Sequence, residues 1–242
     1  MARPARDVRA SIQSSPCEVC DLEPLCFPDA MDVRPGPTAS IRQRELAEGQ
    51  HLIHAGQACR SLLVLCSGSA RSYSLSVDGT EWTSELHLPG EPIGLEALGS
   101  ERHAQYLVAL QPSTYCELRL AQLRPLMDES GNVRRAVTRL MGAALGAWRN
   151  RCVSQGRGAA RNRVAAFLND QGERRRRRGM DGDDFRLSLD RGNIANLLGL
   201  TVETVSRALA QLQRDGLIRV SGKHVVIRDR AALQLEANGE AR

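Results

Sequence analysis

The sequence predicts an α+β chain in four consecutive parts, and three patterns predict it. Short apolar runs punctuated by glycine fill residues 41–120, apolar residues recur at helical intervals over residues 121–153, and a helix-turn-helix pattern with a trailing hairpin closes the chain. The expected parts are a cysteine-rich segment over residues 1–37, a β-roll over 38–120, a dimerisation helix over 121–155 and a winged helix-turn-helix domain over 156–242.

The 242 residues suffice for two domains with real cores, and the composition is globular. No run approaches the roughly 20 apolar residues of a membrane helix, so no membrane partner is expected. The basic first ten residues lack the apolar core of a secretory signal, which predicts a cytoplasmic protein. Seven cysteines in a reducing compartment are poor disulfide candidates, and this moves them toward metal or redox chemistry. The formal net charge of +5 suits a polyanionic partner. No P-loop, dinucleotide-binding glycine motif or local Cys-His pair is present, so the chain does not read as an enzyme.

Residues 1–37 carry Cys17, Cys20 and Cys26 among Pro and Asp, too irregular for a regular element and suited to a loop around a ligand. Strands are expected at 62–66, 70–75, 81–88, 106–110 and 115–120, with turns at Gly49, Gly56, Gly68, Gly79 and Gly90. The stretch Val77-Asp78-Gly79-Thr80 is a strong hairpin signal. Several short strands at regular spacing predict a small barrel or roll. Leu123, Leu126, Met127, Val133, Val137, Leu140, Met141 and Leu145 then predict one long helix, with more apolar face than either flanking part needs. A second copy is its natural cover, and Gly142 and Gly146 let a partner helix approach closely. Residues 156–158 read as a hinge, 159–168 as a helix, and the arginine run 174–178 as a solvated charged loop.

Residues 190–216 give the reading head. Ile194, Leu197 and Leu198 form the inner face of a first helix, Gly199 makes the turn, and Thr201 caps a second helix whose apolar stripe is Val202, Val205, Leu209 and Leu212. The opposite face presents Glu203, Ser206, Arg207 and Ala210. Arginine pairs bidentately with guanine and glutamate accepts from cytosine, so this face suits base edges of double-stranded DNA. The plainer reading is a helix-dipole and i,i+4 role for Glu203 and Arg207, and the two are compatible. Residues 217–220 and 224–227 flank Ser221-Gly222-Lys223 as a wing, from which Lys223 and His224 would reach phosphates.

The thiols of Cys17, Cys20 and Cys26 suit zinc or an iron-sulfur cluster, both of which take soft, deprotonated ligands. The spacing leaves one ligand missing, and Cys59, Cys66, Cys116 and Cys152 are the candidates that the residues alone leave open.

The phrases C-E-V-C-D-L-E-P-L-C, L-H-L-P-G-E-P-I-G-L-E-A-L-G-S, T-Y-C-E-L and F-R-L-S-L-D-R-G-N-I-A-N-L-L-G-L-T-V-E-T-V-S-R resemble the FNR branch of the FNR/CRP family of bacterial transcription regulators, over nearly all of residues 11–232. The resemblance implies a cyclic-nucleotide-binding-like β-roll and a [4Fe-4S] cluster on Cys17, Cys20, Cys26 and Cys116. It also implies TTGA-type half-sites read by Glu203, Ser206 and Arg207 in a homodimer. The implied behaviour is an oxygen switch: an intact cluster favours the dimer and DNA, and its loss releases both. Contact with RNA polymerase, through exposed loops over residues 91–105, and activation of anaerobic-metabolism genes are implied as well. The helix departs from the family's more aliphatic pattern at Trp148, Arg149 and Arg151.

Three other readings compete. A cyclic-nucleotide regulator of the same architecture would cradle phosphate with an Arg-Ser, Arg-Thr or Arg-Ala pair, whereas Arg102 is followed by His103. A haem-based sensor of nitric oxide or carbon monoxide would not require the amino-terminal cysteines. A zinc-stapled constitutive DNA-binding protein would use them only to stabilise the fold.

Overall fold

The computed structural model describes residues 20–22, 25, 42–156 and 158–240, so the expectations for Cys17 and Cys26 lie outside the described residues. Strands β1 (Arg42–Leu46), β2 (His51–Ile53), β3 (Ser61–Ser67), β4 (Ala70–Leu75), β5 (Glu81–His87), β6 (Pro92–Ile93), β7 (Tyr106–Ala109) and β8 (Ser113–Arg119) form two antiparallel sheets. Their orders are β1-β8-β3-β6 and β2-β7-β4-β5. β3 shows why its sequence is a continuous apolar run rather than an alternating one. Leu63 and Leu65 face the core between the sheets, with Leu46, Ile53, Leu107 and Tyr115. Leu62 and Val64 face the other way, into a second core beneath the helices. In the β4–β5 hairpin Gly79 adopts φ +83°, and the Asp78 carboxylate accepts from Thr80 N–H at 3.1 Å. The short strands β1, β2 and β6 carry too few apolar residues to announce themselves in the sequence.

Helix α1 (Ala97–Ser100) follows β6, and α2 (Leu120–Glu129) and α3 (Gly131–Gly156) follow β8. The single helix expected over 121–153 is therefore two. Ser130 is extended (φ −122°, ψ 115°), and its hydroxyl accepts from Val133 N–H at 3.4 Å, so it ends α2 and caps α3. The Arg134 guanidinium covers the Met127 carbonyl at 2.9 Å, satisfying an orphan acceptor at the end of α2. Val133 and Val137 on α3 and Leu120 and Leu123 on α2 close the second core, which also takes Leu22 and Leu25 from the amino-terminal segment. No helix among the described residues is long and apolar enough to cross a membrane.

The carboxy-terminal unit comprises α4 (Ala160–Arg176), β9 (Asp184–Arg186), α5 (Arg191–Leu198), α6 (Val202–Arg214), β10 (Ile218–Ser221), β11 (His224–Ile227) and α7 (Arg230–Asn238). The arginine run is not the solvated loop the sequence predicts. α4 continues through Arg176, and Arg174 and Arg175 are only 4% and 7% exposed. The buried face Val164, Leu168, Gln171, Arg175 keeps its helical spacing while changing from apolar to cationic. Arg175 is accommodated by Gln171 at 2.8 Å and by stacking over the Phe185 ring at 4.4 Å from the centroid. Burial and the neighbouring charge of Arg174 lower its pKa to about 10.

Leu86 and Leu88 at the end of β5 enter the core of the carboxy-terminal unit, so the roll and the helix-turn-helix share one apolar seam. Asn196 on α5 caps the open edge of β5: its side chain accepts from Thr83 N–H at 2.5 Å and donates to Glu81 O at 2.7 Å.

Candidate functional site

The described cysteines sort by environment. Cys59 is buried, and that burial raises its thiol pKa, which suits a core residue. Cys152 is exposed on α3. Cys20 and Cys116, far apart in sequence, both pack against the second core, the one that α2 and α3 close. β8 pairs Cys116 with Val64 of β3, and this register turns its side chain to the helix side. Cys66 joins Cys116 there, with sulfurs 2.9 Å apart, because β3 bulges between Leu65 and Ser67. The Cys66 hydrogen bond lowers the Cys116 pKa and outweighs the opposing effect of burial. The soft thiols of Cys20 and Cys116, both packed against this apolar core, match the donors that an iron-sulfur cluster takes. Among the described residues no three metal-ligating side chains converge.

The segment carrying Cys20 is held to both halves of the molecule. Asp21 N–H donates to Gly90 O at 3.0 Å, and the Asp21 carboxylate accepts from Arg178 at 2.7 Å. Burial raises the Asp21 pKa, and the Arg178 charge opposes it. Glu91, next to Gly90, takes a bidentate grip from Arg174, whose Nε and Nη2 lie 2.7 and 2.5 Å from its two carboxylate oxygens. Arg174 also donates to the Leu86 carbonyl and pairs with Asp170 at 3.1 Å. Burial alone would raise the Glu91 pKa, but the charge and hydrogen bonds of Arg174, the charge of Arg178 and the Leu88 N–H together bring it down to about 2. Glu91 is thus enclosed rather than exposed, which removes it from the accessible loops expected over 91–105. The exposed residues of that stretch are Glu96, Gly99, Ser100, Glu101, Arg102 and Ala104. Sequence reasoning missed Glu91, Arg174 and Asn196. Only the helical spacing carried on through the arginines signals any of them.

The reading head is built as its sequence reads. The Asp190 carboxylate caps α5 by accepting from Asn193 N–H at 2.7 Å, and Gly199 turns the chain at φ +60°. The Thr201 hydroxyl caps α6 by accepting from Thr204 N–H at 3.2 Å. Val205, Leu209 and Leu212 are buried with Ala208, while Val202 is 43% exposed and so leaves the predicted stripe. Glu203, Ser206, Arg207 and Ala210 all face solvent. The Glu203 carboxyl sits below its ordinary pKa, held there by its own backbone N–H, the Thr201 hydroxyl and the Arg207 charge. Arg207 donates to Thr204 at 3.3 Å. In the β10–β11 hairpin Ser221 pairs with His224 across Gly222 and the exposed Lys223. The Lys223 carbonyl accepts from Leu187 N–H at 2.8 Å and fixes the wing. His224 pairs with Asp184 while both side chains stay largely exposed. Arg102, where a cyclic-nucleotide site would place its phosphate, spends its guanidinium on the Gly56 carbonyl at 2.7 Å.

An eight-stranded roll, a linking helix and a winged helix-turn-helix with an open reading face define the architecture of a DNA-binding transcription regulator. A model of the Crp-like helix-turn-helix domain matches residues 162–236, and one of the cyclic nucleotide-binding domain matches residues 43–130. The Fumarate and nitrate reduction regulatory protein of Escherichia coli K12 is 32% identical over 95% of both chains. Its counterpart in Klebsiella oxytoca is 31% identical over 99% of this chain and 98% of its own. The solved structure of FixK2 from Bradyrhizobium japonicum superposes with a TM-score of 0.73 at 27% identity, over 80% of this chain and 96% of that one. The chain belongs to the FNR/CRP family of transcription regulators.

Proposed function

We propose that the protein is an oxygen-responsive activator of anaerobic-metabolism genes that binds palindromic TTGA-type half-sites as a homodimer. In this reading Cys17, Cys20, Cys26 and Cys116 hold a [4Fe-4S] cluster, which supplies an oxygen-labile cross-link between the amino-terminal segment and β8. The observation that carries the reading is the convergence of Cys20 and Cys116 on the core that also seats the start of α3. Similarity to relatives named for fumarate and nitrate reduction supports the physiological assignment.

The chain's own residues provide the coupling. A tie at Cys20 positions Asp21 against Arg178, which shares Glu91 with Arg174 on α4. α4 packs on α6, the helix bearing Glu203, Ser206 and Arg207. Loss of the tie therefore weakens one end of an ion-pair chain that ends on α4, the helix that packs against the reading head. Met141, Leu145 and Trp148 are exposed on α3 at helical spacing, and added Cβ atoms at Gly142 and Gly146 would meet open space; a second copy covers this stripe. Thr201 fixes the start of α6, Lys223 takes phosphate, and the exposed residues Glu96 and Glu101 are available to RNA polymerase. The test is iron and sulfide analysis of oxygen-free preparations: about four of each per chain in the wild type, and loss of both in Cys116→Ala with the carboxy-terminal unit still folded. Zinc in place of iron would sink the proposal.

A further inference from the structure

We propose that Cys66 and Cys116 form a reversible disulfide in the cluster-free protein, so that Cys116 is withdrawn from ligand duty until a thiol reductant restores it. The inference rests on the reading of Cys116 as a ligand and adds a second redox element to that site.

Geometry carries it. In a regular antiparallel pairing with Val64 opposite Cys116, residue 66 would be a diagonal neighbour, with the two Cα atoms roughly 7–8 Å apart, too far for a disulfide without backbone movement. The bulge after Leu65 puts an extra residue into β3, and that residue is Cys66. Its sulfur is thereby brought to 2.9 Å from the Cys116 sulfur. A disulfide bond is about 2.04 Å long, so closing it asks the sulfurs to move together by about 0.9 Å. Both cysteines are half-buried, within reach of a small oxidant, whereas Cys59 is enclosed.

The oxidant class is a low-molecular-weight disulfide such as oxidised glutathione. One protein sulfur, as the thiolate, attacks a glutathione sulfur, forming a mixed disulfide and releasing one glutathione thiol. The second protein sulfur then attacks the mixed disulfide, forming the Cys66–Cys116 bond and releasing the second. Two protein sulfurs are oxidised, two glutathione sulfurs are reduced, and the two thiol protons end on the two released thiols.

The experiment uses full-length cluster-free protein treated with oxidised glutathione, mapped as non-reduced peptides, with iron uptake measured in parallel. The wild type is expected to yield a peptide linking Cys66 to Cys116, and its iron uptake should fall at least tenfold and recover with dithiothreitol. Cys66→Ser should leave a glutathione adduct on Cys116 and, when reduced, take up iron as the wild type does. A Cys116 that stays a thiol, that remains adducted beside an unmodified Cys66, or that links to an amino-terminal cysteine overturns the proposal. So does a reduced Cys66→Ser that takes no iron, since Cys66 would then be a ligand. A linked peptide in a protein that takes no iron even when reduced would retain the thiol pair and sink the cluster reading instead. Iron uptake without the linked peptide does the reverse.

Discussion

Replacing Glu91 with alanine leaves the buried Arg174 guanidinium without its bidentate partner, at the seam between the roll and α4. The carboxylate normally titrates near 4.5 and is brought down to about 2 here. A depression of about 2.5, at 1.36 kcal/mol per pH unit, corresponds to about 3 kcal/mol. Breaking a buried pair by removing one partner costs roughly 3–5 kcal/mol, the same order. Part of the loss is recovered through Asp170 and the Leu86 carbonyl, which continue to hold Arg174. Urea unfolding at pH 7 is therefore expected to show Glu91→Ala less stable by about 3 kcal/mol. The pH dependence has a definite sign. A carboxylate whose pKa is lowered by folding contributes fully above 4.5 and loses its contribution as pH falls toward about 2. The gap between wild type and Glu91→Gln should thus hold steady from pH 7 to about pH 5 and narrow below it. A difference under about 0.5 kcal/mol at pH 7, or a gap that widens in acid, would refute the assignment of Arg174 and Glu91 as the tie across this seam.

Two further outcomes bear on the reading head and the dimer. Arg207→Ala should cost about 1–3 kcal/mol at one base pair per half-site and relax specificity there, measured by binding to sites mutated position by position; equal weakening on all DNA would make Arg207 a phosphate contact. Leu145 is 66% exposed on α3. In a two-fold interface Leu145→Asp removes it twice, at about 1.5–3 kcal/mol each, so sedimentation should show a dimer weakened by two orders of magnitude or more, and an unchanged dimer would place the interface elsewhere.

The reading head was legible because its signals are local. Gly199 and Thr201 sit at turn and capping positions that their residue types favour, and each performs that role. The roll was legible where a strand is long and apolar, as in β3, and silent where pairing alone makes the strand, as in β1 and β6. The helix break was missed because apolar periodicity runs on across Ser130, while the short-range capping by its hydroxyl decides the boundary. The arginine run misled because charge normally marks solvent, and the partners that bury Arg174 and Arg178 are Glu91 and Asp21, remote in sequence. For the same reason nothing local pointed to the meeting of Cys66 with Cys116, which the bulge at Cys66 and the pairing of β3 with the sequence-remote β8 produce.

The central claim is that a thiol-held cluster governs DNA binding, and its most direct measurement is binding of one anaerobically prepared sample to a TTGA palindrome before and after exposure to air. The account predicts tight binding of a dimer before exposure, and loss of binding in step with loss of the iron-sulfur absorbance. Air-exposed protein that holds the same site with undiminished affinity would contradict it.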